Sequence, residues 1–136
     1  MSRPATPVPN AGLSGSFFDP SRNGEGLIIE WLSSGDVVAI FFTFDPDGNQ
    51  FWTFGVGTPV GKSVTINAVY PASSTRWGRD FDPNEVDLQS WGTFDLTWTA
   101  CSDLSFDYSS SIPGFGSNSR SYRRVSVLQD TSCPDF

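Results

Sequence analysis

The chain has 136 residues and a net charge of −7, with 8 Lys and Arg, 15 Asp and Glu, and no His. That length fits one domain. The acidic balance excludes a phosphate-backbone binder or an anionic membrane surface as partner, since both need clustered Lys and Arg. The lack of His removes the usual Ser–His nucleophile and the commonest metal ligand.

Aromatic residues make up 15% of the chain, with 12 Phe and 5 Trp. Each large ring buries about 150–250 Å². At ~25 cal/mol per Å² this supports a core that folds with no cofactor. One Met and one Lys against 13 Gly and 10 Pro describe strands and turns rather than helices. No run of about 18 apolar residues is present, so no membrane span is expected.

Residues 1–12 read as a Pro-rich arm or linker, and residues 13–136 as the β domain. The first 15 residues lack a charged segment followed by an apolar run, so a secretory leader is not expected there. The first strand is expected over Leu13–Phe18, and the turn Asp19–Gly26 ends it. The second, Leu27–Leu32, alternates Leu27, Ile29 and Trp31 with Ile28, Glu30 and Leu32, because side chains along a strand face opposite sides. Ser33–Asp36 makes a tight hairpin into the third strand, Val37–Phe44. That strand is apolar on both faces and is therefore expected to be central.

Asp45-Pro46-Asp47-Gly48-Asn49 turns the chain into a fourth strand, Gln50–Val56, with Trp52, Phe54 and Val56 on one face. The fifth strand, Ser63–Tyr70, alternates cleanly. Residues 71–90 form the longest connection, and long loops in compact domains are enriched in function. The sixth strand, Trp91–Ala100, places Phe94, Leu96 and Trp98 on the core face. The seventh is Leu104–Tyr108 and the last is Arg120–Leu128, separated by a Ser- and Gly-rich loop. The fold expected is all-β, a single antiparallel meander of about eight strands. A barrel is preferred to an open sandwich because closure removes exposed edges.

Cys101 and Cys133 have no C-x-x-C partner and no His to form a metal site, so a structural disulfide is expected. It would contribute roughly 3–4 kcal/mol on chain-entropy grounds and would place the protein outside reducing compartments: secreted, periplasmic or at the cell surface. Phe-Asp-Pro occurs at Phe18-Asp19-Pro20, Phe44-Asp45-Pro46 and Phe81-Asp82-Pro83. The expected use is structural: a buried Phe ends a strand, the Asp side chain opens a turn, and Pro takes the next corner.

Glu25, Glu30, Asp80 and Asp82 are the carboxylates to weigh for acid–base work, but no fixed pair emerges from the pattern. Glu30 reads better as an outward residue paired with an Arg from a neighbouring strand. Lys62 lies in a turn beside Ser63, and neither Gly55-Val56-Gly57 nor Gly114-Phe115-Gly116 opens a helix, so neither Ser–Lys chemistry nor a phosphate cradle follows. Asp45-x-Asp47-Gly48-Asn49 begins like a calcium loop, but an EF-hand has Gly and Glu where Gln50 and Val56 stand, and a hairpin turn accounts for it better. No catalytic residue and no metal ligand is assigned. The remaining signal is aromatic. Trp77, flanked by Arg76 and Arg79 in the long loop, together with Trp52, Trp91 and Glu30, is the candidate ligand-binding set.

The stretch Gly15-Ser16-Phe17-Phe18-Asp19-Pro20 with Gly24-Glu25-Gly26, followed by Phe41-Phe42-Thr43-Phe44-Asp45-x-x-Gly48-x-x-x-Trp52, resembles a recurring bacterial pattern. That pattern reads Gly-x-Trp-Tyr-x-Pro, Gly-x-Gly, Trp-Phe-Thr-Tyr-Asp-x-x-Gly-x-x-x-Trp and a late Cys pair, and the likeness runs from about Leu13 to Cys133. The resemblance implies a secreted or envelope-associated β domain, often appended to larger extracellular proteins, and implies no particular activity. Phe17, Phe18, Phe41 and Phe44 keep the rings but lose the polar groups of the Trp and Tyr usual there. The Gly-x-aromatic opening of a meander is also similar to avidins and lipocalins, a likeness of fold alone.

Together these features point to a non-catalytic binding module for a ligand, glycan or protein partner. A self-assembling subunit, hence a homo-oligomer, is the alternative, and a carboxylate-based hydrolase the second.

Overall fold

The computed structural model describes residues 10–136. The Pro-rich arm lies outside the described residues up to residue 9. Its end, Ala11 to Gly12, opens a single 3-10 turn that continues to Leu13. Eight strands follow: β1 (Gly15–Phe18), β2 (Gly26–Trp31), β3 (Val37–Phe44), β4 (Gln50–Gly57), β5 (Ser63–Pro71), β6 (Leu88–Ala100), β7 (Asp103–Ser110) and β8 (Ser117–Arg124). Each pairs antiparallel with its neighbour in sequence, and β8 returns to β1 through Phe17 opposite Arg124, closing a barrel. Among the described residues, no helix is long and apolar enough to cross a membrane.

Alternation builds the core. Leu27, Ile29 and Trp31 of β2, Val64, Ile66 and Ala68 of β5, and Phe94, Leu96 and Trp98 of β6 all point inward and are buried. Edge-to-face rings fill the centre, with Phe41 5.0 Å from Phe106 and Trp31 5.3 Å from Trp98. An eight-stranded barrel is just wide enough for its own side chains to fill.

Three expectations change. First, Leu13 is not a strand residue: it sits in the 3-10 turn, fully buried, and plugs one end of the barrel. The last strand runs Ser117–Arg124 rather than Arg120–Leu128, because Ser109, Asp107 and Ser105 of β7 pair with Ser117, Ser119 and Ser121. Here polar alternation carries the strand that an apolar pattern would have placed later.

Second, β3 has no central position, since a closed barrel has none. Its second apolar face, Val38, Ile40, Phe42 and Phe44, lies on the outside wall. Third, the Phe of each Phe-Asp-Pro is not buried. Phe44 and Phe81 are exposed and Phe18 is half-buried. The Asp role does hold: Asp19, Asp45 and Asp82 accept from the amides of Ser21 (2.9 Å), Asp47 (3.0 Å) and Asn84 (3.0 Å). Asp45 also accepts from the Asn49 amide at 2.9 Å, so its carboxylate is committed to its own turn.

The end plugged by Leu13 is held by the chain's C-terminal tail. Cys101, in the β6–β7 turn, is joined to Cys133. The tail then lies against the 3-10 turn so closely that a Cβ on Gly12 would fall 1.8 Å from the Ser132 carbonyl oxygen. Arg124 donates to the Gly12 carbonyl from inside. Replacing both Cys101 and Cys133 by Ala should cost about 2–4 kcal/mol in urea unfolding. Gly12→Ala should be destabilising on its own with the disulfide intact, because the backbone, not a mobile side chain, occupies the space.

Candidate functional site at the loop end of the barrel

Strand alternation sends the β1–β2, β3–β4, β5–β6 and β7–β8 connections to the end opposite the disulfide. The three Phe-Asp-Pro turns shape three of these connections. A cavity of about 150 Å³ opens among them. Phe41, Trp91 and Tyr108 line it from the barrel interior, Phe115 and Gly114 from the β7–β8 loop, and Pro46 from the β3–β4 turn. The two loops touch above it: a Cβ on Gly114 would meet Pro46 Cγ at 2.8 Å, and Gly114 has φ +98°, so glycine is required there. The Trp91 carbonyl anchors the loop base by accepting from Ser110 Oγ (2.7 Å) and the Ser111 amide (3.0 Å). The Trp91 indole N–H is buried and has no acceptor among the described residues.

The polar side of the cavity is one carboxylate held by four donors. Glu25 Oε1 accepts from Arg22 Nε (3.0 Å), Arg120 Nε (3.1 Å) and the Tyr122 hydroxyl (3.1 Å), and Oε2 accepts from Thr43 Oγ1 (2.7 Å). Arg120 also donates to the Tyr108 hydroxyl at 3.2 Å and lies over that ring. The network joins the β1–β2 connection, β3, β7 and β8 across the barrel mouth. Burial works to raise the Glu25 pKa, but the bonds from Arg22, Thr43 and Arg120 outweigh it and hold the carboxyl down at about 2. Burial first, and then the Glu25 charge, push the Tyr122 phenol well above its ordinary value. At neutral pH Glu25 is therefore ionised with both oxygens occupied, and Tyr122 keeps its proton. Neither is poised to transfer a proton, and the network orders the mouth rather than reacting there.

The six residues expected to bind a ligand fall in three places. Trp77, Arg76 and Arg79 ride on the β5–β6 loop, with Trp77 97% exposed and Arg76 3.5 Å from Glu85. Trp52 and Glu30 stand on the outside wall, on β4 and β2. Trp91 faces the interior and lines the cavity. Glu30 makes no ion pair among the described residues, so the expected Arg partner is not found. The Asp82 carboxylate accepts from the Asn84 amide in its own turn, and Asp80 lies exposed in a single 3-10 turn.

Arg120, Tyr122 and Tyr108 escaped the sequence reading. Their signal was the alternation Arg120-x-Tyr122-x-Arg124, which puts two cations and a phenol on one face of a strand whose other face is Ser and Arg. In a barrel the first of those faces is the inner one.

Comparison with known protein families, curated proteins and solved structures finds no match to this chain.

Glu25→Gln leaves Arg120 nearly buried without its counter-charge. It should cost roughly 2–3 kcal/mol, below the ~3–5 kcal/mol of a wholly buried pair, because both side chains keep about a tenth of their surface in water. The pH dependence has a definite sign. The folded carboxyl has a lowered pKa, so its stabilisation is complete above the ordinary value of 4.5 and is lost as pH falls through about 2. Urea midpoints across that window should fall more steeply in the native protein than in Glu25→Gln, in which Asp19, itself held down by Ser21, still titrates.

Proposed function

We propose that this chain is a non-catalytic binding module of a secreted or envelope protein, and that it docks a protein partner at the loop end with Trp77 as anchor. The observation that carries the reading is the 97% exposure of Trp77 in a loop that is otherwise tied down. Ser73 Oγ donates to the Glu85 carbonyl and accepts from the Asp87 amide (2.9 Å). Thr75 Oγ1 donates to Glu85 Oε1 (3.0 Å) and accepts from the Asp82 amide (3.0 Å). These bonds cross the loop and order it without using the indole.

Covering a ring of about 150–250 Å² at ~25 cal/mol per Å² is worth several kcal/mol, and the fold leaves that gain untaken. A loop already ordered around the ring loses little entropy when a partner covers it. Arg76 and Arg79 on either side of Trp77 give the Trp and Arg composition of binding hot spots, with Arg76 held by Glu85 at 3.5 Å. The Cys101–Cys133 disulfide supports an oxidising compartment, as does the resemblance to bacterial envelope domains.

The test uses the oxidised protein and a Trp77→Ala variant, matched by circular dichroism and thermal midpoint, as paired baits on surface proteins of the producing cells. A protein should be retained by the native chain and bound at least tenfold more weakly by Trp77→Ala, with a smaller loss for Arg76→Ala and Arg79→Ala. Equal binding by native and Trp77→Ala chains would remove the loop tip from the site.

A further inference from the structure

The outside wall of the barrel has two unlike halves. On β5 to β8 the outward residues are polar: Thr65 and Asn67, Asp95 and Thr97, Ser105 and Asp107, Ser119 and Ser121. On β2 to β4 they are apolar. The cross-strand register sets Phe42 beside Trp52, Ile28 beside Ile40 and Phe54, and Val38 beside Val56, with Phe44 continuing the face toward the loop end. Ile28, Phe42, Phe44, Trp52 and Val56 are 38%, 42%, 49%, 45% and 55% exposed. Trp52 and Phe54 stack at 5.4 Å, so the face is flat rather than tufted.

Register locks these residues outside. The inward positions of β4 are Phe51, which packs on Phe115 and Tyr70 at the loop end, and then Thr53, Gly55 and Gly57. A Cβ on Gly55 would lie 2.4 Å from the Asn67 carbonyl and 2.5 Å from Ile66 Cγ2, and one on Gly57 would lie 2.7 Å from the Thr65 carbonyl. There is no room for Trp52, Phe54 or Val56 to slip inward by one residue.

We propose that this wall is where two copies of the chain pair, face to face about a twofold axis. Area is the first argument. With ~150–250 Å² for a large side chain, the wall offers on the order of 600 Å² of apolar surface, the upper end of what a monomer exposes in one patch. A stable interface takes roughly 800 Å² from each partner, so the wall supplies about three-quarters of it and the residues around its edge would have to supply the rest. Charge is the second. Two copies at −7 each repel; Asp95, Asp103 and Asp107 stand on the opposite wall, and Asp36, Asp45 and Asp47 lie in the β2–β3 and β3–β4 turns at the two ends of this one. The strands of the β2–β4 wall carry Glu30 alone, against Asp95, Asp103 and Asp107 on the opposite wall, so of the two walls it is the one on which two such chains meet with less repulsion, provided the acidic turns at its ends stay at the rim. A twofold axis sets the patch on itself, which suits a surface of rings and branched chains with no directional groups to match. This inference is independent of the loop-end reading, whose residues lie elsewhere.

Sedimentation velocity of the oxidised full chain from low to high micromolar concentration tests it. The native protein should sediment as a dimer that dissociates on dilution. Trp52→Glu and Val56→Glu, both at exposed positions, should each sediment as monomers with unchanged circular dichroism, while Thr97→Glu on the polar wall stays dimeric. Fluorotryptophan labelling supplies a readout that needs no substitution: the Trp52 resonance should shift with concentration and that of buried Trp98 should not. A native monomer throughout the range with a Trp52 resonance independent of concentration would overturn the proposal and leave the wall to a different protein. A dimer that survives Trp52→Glu and Val56→Glu would overturn it as well.

Discussion

Closure of the barrel through β1 and β8 is the constraint on which the other features depend. It removes both edges from an eight-stranded sheet, and it also creates an interior that only the inward side chains can fill. Where strands bring Phe94, Phe106, Trp98 and Leu96, rings and branched chains fill it outright. Where β8 brings Arg120, the interior has to accept a cation. Glu25 answers it from the β1–β2 connection, with Thr43 and Tyr122 taking up the remaining acceptor capacity. The ion pair is thus a consequence of closure: the strand that completes the barrel carries a polar inner face, and the mouth is the place where that face can be paired with part of its surface still in water.

The same constraint explains why apolar residues end up outside. β4 passes so close to β5 that its inner positions must be small, and Gly55 and Gly57 meet that need. A strand whose inner face beyond Phe51 is Thr and Gly has to place Trp52, Phe54 and Val56 on the other side. β3 is apolar on both faces, and its outer row joins that of β4. The apolar wall therefore reflects packing inside the barrel as much as any partner outside. That wall would have no reason to remain so extensive if small polar residues served equally well there, as Ser and Thr do across β5 to β8.

Much of this was legible in the residues. The period-two alternation of β2, β5 and β6 located the core correctly, Trp98 included, and turn chemistry placed the β1–β2, β2–β3, β3–β4 and β4–β5 turns. What alternation could not say was which face of β3 or β4 is inner, because pattern arguments take the apolar face as the buried one and here both candidates are apolar or the inner one is nearly bare. Nor could it locate β8, whose Ser and Arg content reads as loop until β7 supplies a ladder for it. Glu25 was visible as a carboxylate and invisible as a network. Its partner Arg120 is 95 residues away, and nothing local marks an Arg as inward-facing.

The loop end and the outer wall answer different physical questions, and keeping them apart sharpens both. At the loop end, order has been put into segments that bury little: Asp19, Asp45 and Asp82 each tie down a turn, Ser73 and Thr75 tie down the long loop, and Gly114 rests on Pro46 over the cavity. Rigid loops around one unburied indole suit recognition of something other than self, since their irregular shape gives a distinctive outline. The wall is regular and flat, without hydrogen-bonding groups to discriminate among partners, and a surface of that kind gains specificity from symmetry instead. Pairing through the wall leaves the loop ends of both copies uncovered. A dimer would therefore present two Trp77 tips on one particle, and the avidity of two weak contacts would let a modest hot spot hold its partner.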